Sequence, residues 1–195
     1  MESKFEQLLM EVESCKICVD QLPHGVNPVI QIDPQARILI AGQAPGRIVH
    51  ETGIPFDDAS GNRLREWMGV SKEVFYDPRQ IAILPMGFCY PGTSKSGDLA
   101  PRPECAPAWR EKLLKQLPNL ALTIVMGQYA QKYHFNHKHR SVTELVESWR
   151  DYWPEMIPLP HPSPRNNIWL KKNPWFEEDV LPILKLAIKN KLSPV

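Results

Sequence analysis

The sequence predicts an α/β fold, a three-layer α/β/α sandwich with a central, mostly parallel four-stranded sheet. Short apolar runs are the first observation, because such runs are typical of strands buried on both faces. They lie at residues 37–41, 81–86, 121–126 and 156–159. Helix-like stretches between them are the second, and this alternation is typical of a parallel sheet covered by helices. They lie at residues 60–68, 105–117, 128–133 and 141–149.

Helices are also predicted at both ends of the chain. The first apolar residues recur at helical spacing, so an amphipathic helix is expected to end near Cys15. The segment 174–189 has a proline and acids near its start and lysines near its end, the order that a helix dipole favours. Pro182 is expected to kink or divide this last helix.

Length and composition favour one globular domain. A chain of 195 residues can bury one sizeable core, so we expect a single domain over residues 1–195 that acts as a monomer. No apolar run approaches the ~20 residues that span a bilayer, and the first residues lack a signal-peptide pattern. We therefore expect a cytoplasmic protein without a membrane partner. A net charge of +1 gives no global attraction to nucleic acid, so any DNA contact needs a local basic patch.

Three polar or glycine-rich segments follow predicted strands. They are GQAPG at 42–46, MGFCYPG at 86–92 and HPSPRNN at 161–167. In open α/β sheets, ligands bind beyond the carboxyl ends of the strands. The three segments therefore predict a pocket, although this placement alone does not indicate a reaction.

The four cysteines form a close pair, Cys15 and Cys18, and a distant pair, Cys89 and Cys105. Four thiols in a chain without a secretion signal favour metal over disulfides. From the spacing alone, four reduced structural cysteines are about as well supported as a metal site, which could hold an iron–sulfur centre or zinc.

Several segments together resemble the iron–sulfur (family 4) uracil-DNA glycosylases. LLMEVESCKICVDQLPHG followed by ARILIAGQAPG is similar to that family's C-x2-C helix end, strand and GEAPG-type loop. TGIPFDDASGNRLREWMGV, IVMGQYA and PLPHPSPRN resemble its later motifs, in the same order and over about residues 5–190. No single motif would suffice, but the joint match is specific.

The resemblance implies a fold, a cofactor and site residues. Cys15, Cys18, Cys89 and Cys105 match the ligands of a structural 4Fe–4S cluster. His161 matches a neutral histidine that donates a hydrogen bond to O2 of a departing uracil, where negative charge develops. Phe56 matches the aromatic residue that stacks on a flipped base, although a plain core role is a serious rival. The small residues Gly42 and Ala44 would line the same pocket through their backbone.

The chain departs from the family where a catalytic base is expected. Gln43 occupies the place of a glutamate, and Ala44 occupies the place where family 1 enzymes carry an aspartate. An amide can orient water but cannot accept a proton as a carboxylate does. Pro85 replaces the asparagine that reads the edge of uracil, so discrimination between bases is expected to relax.

A replacement base must come from a nearby segment. The candidates are His50, Glu51, Asp57 and Asp58. We favour Asp57, which gives His161, Gln43 and Asp57 as the predicted catalytic residues. Alternatively, the two aspartates only cap the helix that begins near Ser60.

A basic loop is predicted to contact DNA. Its candidate residues are Ser163, Arg165, Asn166 and Lys171, with Trp169 and Leu170 as apolar residues that could fill the gap left by a flipped base. A solvated basic loop over an apolar patch is the alternative. The polar segment 94–98 could bind the DNA backbone or form a turn, and the histidine-rich stretch 134–140 is expected to be a solvated turn rather than a metal site.

Together these features predict a DNA glycosylase that removes a damaged base, uracil first, and leaves an abasic site. The alternatives are a weak or inactive relative that binds DNA or forms a covalent adduct with it, and a metal-binding interaction module.

Overall fold

The computed structural model describes residues 3–95, 97–135 and 141–192. Its strands are β1 (Ile38–Ala41), β2 (Ile81–Ile83), β3 (Thr93–Ser94), β4 (Gly97–Asp98), β5 (Leu122–Met126) and β6 (Met156–Leu159). Four of them form a parallel sheet in the order β2-β1-β5-β6, and β3 and β4 form a small antiparallel ribbon. The predicted four-stranded parallel sheet is confirmed.

The helices differ in several places from those predicted. They are α1 (Lys4–Glu13), α2 (Arg47–Thr52), α3 (Ala59–Met68), α4 (Lys72–Phe75), α5 (Glu111–Leu114), α6 (Gly127–Phe135), α7 (Val142–Glu147), α8 (Asn167–Lys172) and α9 (Leu181–Leu192). The sequence did not indicate the short helices α2, α4 and α8. Wider π-helical turns precede two helices, at Ala106–Arg110 before α5 and at Phe176–Val180 before α9.

The predicted division of the last helix at Pro182 agrees with this change from π-helical turn to α-helix. Pro182 is the second residue of α9 and lies just after the π-helical turn, where a proline without an N–H interrupts the regular pattern of helical hydrogen bonds.

Helices cover both faces of the sheet and complete the α/β/α sandwich. On one face, Ile38 and Ile40 pack in a cluster with residues of α3 and α9, such as Leu64 and Leu184. On the other, Leu39 packs in a cluster with residues of α1 and α5. Burial of this apolar surface is the main stabilising contribution to such a fold. Among the described residues, no helix is both long and apolar enough to cross a membrane.

Helix α3 is delimited by local signals that also position the site. Its N-cap is Asp58, whose side chain accepts a hydrogen bond from Gly61, and it ends at Gly69 in the left-handed conformation. Asp58 is therefore fixed at the start of a helix that is anchored in the core.

Candidate active site

The loops after β1, β2 and β6 meet at the carboxyl ends of these strands and form a cleft of about 290 Å³. Backbone hydrogen bonds hold two of the loops together: Met86 donates to Gly42 at 2.9 Å, and Gly87 donates to Gln43 at 3.0 Å. The polar and aromatic lining includes Gln43, Phe56, Asp58, Ser60, Asp98, His161, Ser163 and Arg165. Of the three segments predicted to surround one pocket, 42–46 and 161–167 line the cleft. The third, 86–92, is hydrogen-bonded to the first segment, but its residues are not part of the lining, to which the loop after β2 contributes Pro85.

His161 lies in this cleft with its protonation state constrained by its surroundings. The backbone N–H of Ser163 donates to Nδ1 of His161 at 3.2 Å, so a neutral ring carries its proton on Nε2. Burial lowers the pKa of His161 below its ordinary 6.5, and the charges of Asp58 and Asp98 offset only part of that effect. The ring is therefore a neutral Nε2–H donor at neutral pH.

Phe56 has an unusual backbone conformation that places its ring in the cleft. Its φ is 56°, the only positive φ of a residue other than glycine in the described part of the chain. The ring packs edge-to-face on Phe75, with centroids 6.2 Å apart, and its far edge lies over Gly42. Phe56 thus packs against the core and also lines the cleft. Its position is compatible with both alternatives from the sequence, core packing and stacking on a base.

Two carboxylates line the cleft, and Asp57 does not. Asp58 and Asp98 are lining residues whose charges act on His161. Asp58 also caps α3, with Oδ1 accepting from the N–H of Gly61 at 2.9 Å. Asp57, the candidate base favoured from the sequence, is half-buried outside the lining.

The other two candidate bases lie on α2 and also outside the lining. Glu51 is exposed and forms an ion pair with Arg47. Nε2 of His50 is 3.1 Å from the carbonyl oxygen of His24, and its ring packs near Tyr90. These contacts indicate a structural role for His50.

The residues that depart from the family pattern all line the cleft. Gln43 directs its amide toward the carbonyl oxygen of Leu99 at 3.4 Å, and Ala44 and Pro85 offer no side-chain hydrogen-bonding group. The polar side chains of the lining include Gln43, Asp58 and Ser60.

The loop after His161 is partly committed to internal hydrogen bonds. Asn166 donates to the carbonyl oxygen of His161 at 2.7 Å, and the Ser163 hydroxyl accepts from the N–H of Arg165 at 3.2 Å. Arg165 is exposed at the cleft, and Lys171 is exposed near the end of α8. Of the predicted DNA-binding residues, Arg165 and Lys171 are exposed, with the Arg165 guanidinium lying against Gly97, while Asn166 holds the loop.

The apolar residues predicted to insert into DNA face inward. Nε1 of Trp169 donates to the hydroxyl of Thr143 at 2.8 Å, and both Trp169 and Leu170 pack against the core. Their neighbour Ile168 is 68% exposed, the largest exposed fraction among the exposed large apolar side chains of the described residues. Ile168 is the apolar residue that this surface presents to solvent.

All four cysteines are free thiols that line one small cavity beside the sheet, with Phe88 and Trp109. Two sulfur atoms accept hydrogen bonds: the N–H of Phe88 donates to Cys105 at 3.4 Å, and Nε1 of Trp109 donates to Cys15 at 3.3 Å. Burial raises the pKa of Cys89 to about 11 and that of Cys105 to about 12. Within the described residues, no three His, Cys, Asp or Glu side chains are grouped as a single metal ion requires.

The histidine-rich stretch is described only as far as residue 135. His134 is not a solvated turn residue: its Nε2 accepts from Arg110 at 2.7 Å, and burial lowers its pKa to about 3. Residues 136–140, the rest of that prediction, lie outside the described residues.

Comparison with known proteins agrees with the cleft geometry. A family model of the uracil DNA glycosylase superfamily matches residues 29–185. The chain belongs to the uracil-DNA glycosylase superfamily. The predicted resemblance is thereby confirmed, and membership supports a glycosylase-like function with DNA as partner.

Two similar proteins come from Sulfurisphaera tokodaii and Methanosarcina acetivorans. A type-4 uracil-DNA glycosylase of Sulfurisphaera tokodaii is 26% identical over 95% of this chain and 86% of its own length. A solution NMR structure of a proposed uracil DNA glycosylase from Methanosarcina acetivorans is 16% identical, covering 80% of this chain and 93% of that one with a TM-score of 0.47.

Some residues of this superfamily member's cleft were not predicted as site residues. Asp98 stood only in a polar segment that could have been a turn, and Ser60 was treated as a helix start. Ile168, which is exposed on α8 outside the cleft lining, gave no signal apart from its place in the basic loop. Their placement depends on contacts between distant segments, which a single sequence does not reveal.

Proposed function

We propose that this chain is a DNA glycosylase that hydrolyses the N-glycosidic bond of a flipped-out damaged base, uracil first, and leaves an abasic site. The observation that carries the proposal is the neutral His161, placed in one cleft with the aromatic ring of Phe56 and the carboxylate of Asp58. Glycosidic cleavage needs these three functions together.

The base would be held and activated by Phe56 and His161. The Phe56 ring offers a face for stacking on any base. Nε2–H of His161 would donate to the base oxygen that gains negative charge as the bond to C1′ breaks. A donor fixed in advance at such a position is worth roughly 10²–10³ in rate. A positively charged histidine would transfer its proton to the departing anionic base. Because the pKa of His161 is lowered, the ring is neutral and keeps the Nε2 proton while donating a hydrogen bond.

Asp58 is the carboxylate best placed to activate water. It lines the cleft together with Asp98 and acts more strongly on the charge of His161 than Asp98 does, whereas Asp57 lies outside the lining. The water oxygen would bond to C1′, the electron pair of the broken bond would leave with the base, and Asp58 would take a proton from the water. Gln43 would orient the same water through its amide.

Base selection is expected to be loose. Pro85 contributes only an apolar ring to the cleft, and Gly42 and Ala44 contribute only backbone groups. A pocket that makes few polar contacts with the edge of a base rejects alternatives weakly. Other deaminated bases would therefore be accepted along with uracil.

A second candidate function is DNA binding with little or no cleavage. Gln43 and Ala44 leave the loop after β1 without a carboxylate, which favours this candidate. In both cases the cleft is built within one chain, in keeping with a monomer.

Release of free base decides between the two candidates. Single- and double-stranded oligonucleotides containing uracil, hypoxanthine or xanthine would be incubated with the protein and with His161→Ala. We expect uracil release that falls about 10²–10³-fold in the variant. No release from any substrate, with tight DNA binding retained, would reject the enzyme and support the binding protein.

We also propose that the four cysteines hold a 4Fe–4S cluster. They fit it because all four are free, line one cavity and include two that accept N–H···S hydrogen bonds, as cluster ligands commonly do. When bound, the cluster would supply a structural crosslink between the end of α1, the loop after β2 and the turn before α5.

The cofactor is tested on protein purified without oxygen. We expect about four iron and four sulfide per chain and a broad absorbance near ~400 nm, both lost in Cys89→Ser. Stoichiometric zinc without iron would overturn the assignment.

A further inference from the structure

Arg63 joins helix α3 to the loop that carries His161. Its Nη1 donates to the carbonyl oxygen of Ser163 at 3.1 Å, and its Nη2 donates to Oδ1 of Asn167 at 2.7 Å. These partners are 100 and 104 residues away in sequence. Among the described residues, no carboxylate forms an ion pair with Arg63, and both hydrogen bonds reach the segment that follows His161, in the loop and at the start of α8.

Ser163 connects this contact with the histidine. Its N–H donates to Nδ1 of His161, and its carbonyl oxygen accepts from Arg63. Arg63 therefore restrains the residue that determines which ring nitrogen of His161 carries the proton.

The same helix carries Asp58 as its N-cap, five residues before Arg63. Helix α3 thus positions the Asp58 carboxylate at its N-terminus and holds the loop of His161 through the Arg63 side chain. The separation between Asp58 and His161 is set through α3 because both attachments are hydrogen-bonded to it.

We propose that Arg63 is a positioning residue, which holds His161 as an Nε2–H donor at a fixed place relative to Asp58. Arginine suits this role because its planar fork donates two hydrogen bonds in fixed directions. A lysine ammonium can reach one partner but lacks that geometry. The role in catalysis rests on the proposed glycosylase function, whereas the positioning of the ring does not.

The experiment compares Arg63→Leu and Arg63→Lys with a matched control, Arg65→Leu. Arg65 is on the same helix but bonds to Asn62 and Tyr76, away from the histidine loop. Kinetics on a uracil oligonucleotide would be combined with ¹⁵N NMR of the His161 ring. Asn167→Ala removes one hydrogen-bond acceptor of Arg63, and it replaces Arg63→Leu in the experiment if that variant does not fold.

We expect Arg63→Leu to lower kcat about 10²-fold with KM changed less than about threefold, because displaced catalytic groups cost rate more than binding. Arg63→Lys and Asn167→Ala should fall between that variant and the wild type, and Arg65→Leu should retain full activity. The ¹⁵N spectrum of Arg63→Leu should show mixed tautomers of His161.

The pH profile separates positioning from a general loss of stability. The groups facing His161 are Asp58 and Asp98 across the cleft and Arg165 on its own loop. A loosened, better hydrated ring protonates at higher pH, so the acid limb of the Arg63→Leu profile should move upward. A variant that was only less stable would keep the acid limb in place.

Unchanged kcat and an unchanged His161 spectrum in Arg63→Leu would overturn the inference. If the wild type releases no base, the proposed function fails, but the NMR comparison still decides whether Arg63 positions the ring.

Discussion

Gly61 cannot carry a side chain, because a Cβ atom there would overlap the carbonyl oxygen of Phe56. The N–H of the same glycine donates to Asp58. One residue in the first turn of α3 therefore makes room for the left-handed backbone of Phe56 and fixes the carboxylate beside it. The stacking ring and the proposed base depend on a single small residue.

Gly61→Ala should consequently impair the site more than an ordinary helix substitution does. Alanine usually stabilises a helix relative to glycine by about 1 kcal/mol, but here the methyl group would force Phe56 out of place. We expect a Tm below that of the wild type and base release lowered at least tenfold, measured by calorimetry and by the oligonucleotide assay.

The neighbouring Asn62→Ala is the control, since it removes one exposed hydrogen bond with Arg65 and leaves Phe56 untouched. A Gly61→Ala protein that was as stable and as active as Asn62→Ala would contradict the steric role of Gly61.

Asp58→Asn separates catalysis from helix capping. Asparagine caps a helix about as well as aspartate, so the stability should change by less than about 0.5 kcal/mol. It cannot accept a proton from water, so kcat should fall about 10²–10⁴-fold. Urea unfolding and single-turnover kinetics measure the two quantities.

Asp57→Asn is the matched control, because it makes the same chemical change one residue away and outside the cleft lining. Near wild-type activity is expected for Asp57→Asn. The opposite ranking of the two variants would restore Asp57 as the base and exclude Asp58.

The choice between these two aspartates shows where the sequence stops being informative. Alternation along an extended segment predicts only that Asp57 and Asp58 point in different directions. Which one faces the cleft depends on the positive φ of Phe56, and a bulky residue rarely adopts that conformation. Gly61 permits it through a contact that propensities do not encode.

The strands of the main sheet were predictable because their signal is local to each segment. Runs such as Ile38–Ala41 are fully buried, and continuous apolarity directly reports burial on both faces. Helix α2 was missed because Val49 is its one buried residue, which leaves almost no periodic signal. The two hydrogen bonds of Arg63 to the segment after His161 were missed because their acceptors lie 100 and 104 residues away in sequence.

His134 should make the protein sensitive to acid. Burial, and to a lesser extent the charge of Arg110, lowers its pKa from 6.5 to about 3. Below pH 6.5 the unfolded chain takes up a proton that the folded chain does not, so stability is lost as the pH falls toward 3. Between pH 7.5 and pH 5.0 this amounts to about 2 kcal/mol, measured by urea unfolding at both values.

His134→Gln should remove most of that pH dependence. A glutamine carbonyl oxygen can still accept from Arg110 but does not titrate in this range. His24→Gln, at an exposed histidine, should leave the dependence as in the wild type. Equal acid losses in all three proteins would show that His134 is not the cause.

Ile168 is expected to insert into duplex DNA where the damaged base has left the stack. It is 68% exposed at the second residue of α8, which directly follows the loop of His161 and Arg165. An apolar wedge offsets part of the unstacking cost, which amounts to a few kcal/mol in a duplex and is smaller in a single strand. Ile168→Ala should therefore slow excision from double-stranded DNA at least tenfold and from single-stranded DNA less than about threefold.

Leu186→Ala provides the comparison, since Leu186 is also highly exposed, at 60%, but lies on α9 away from the cleft. It removes apolar surface of similar size without touching the proposed DNA interface, so both substrates should be processed at the wild-type rate. The decisive quantity is the ratio of the duplex rate to the single-strand rate for each variant. An equal ratio in Ile168→Ala and Leu186→Ala would show that Ile168 does not enter the duplex, and Pro164 and Arg165, which are exposed on the loop at the cleft, would then be the candidates to take its place.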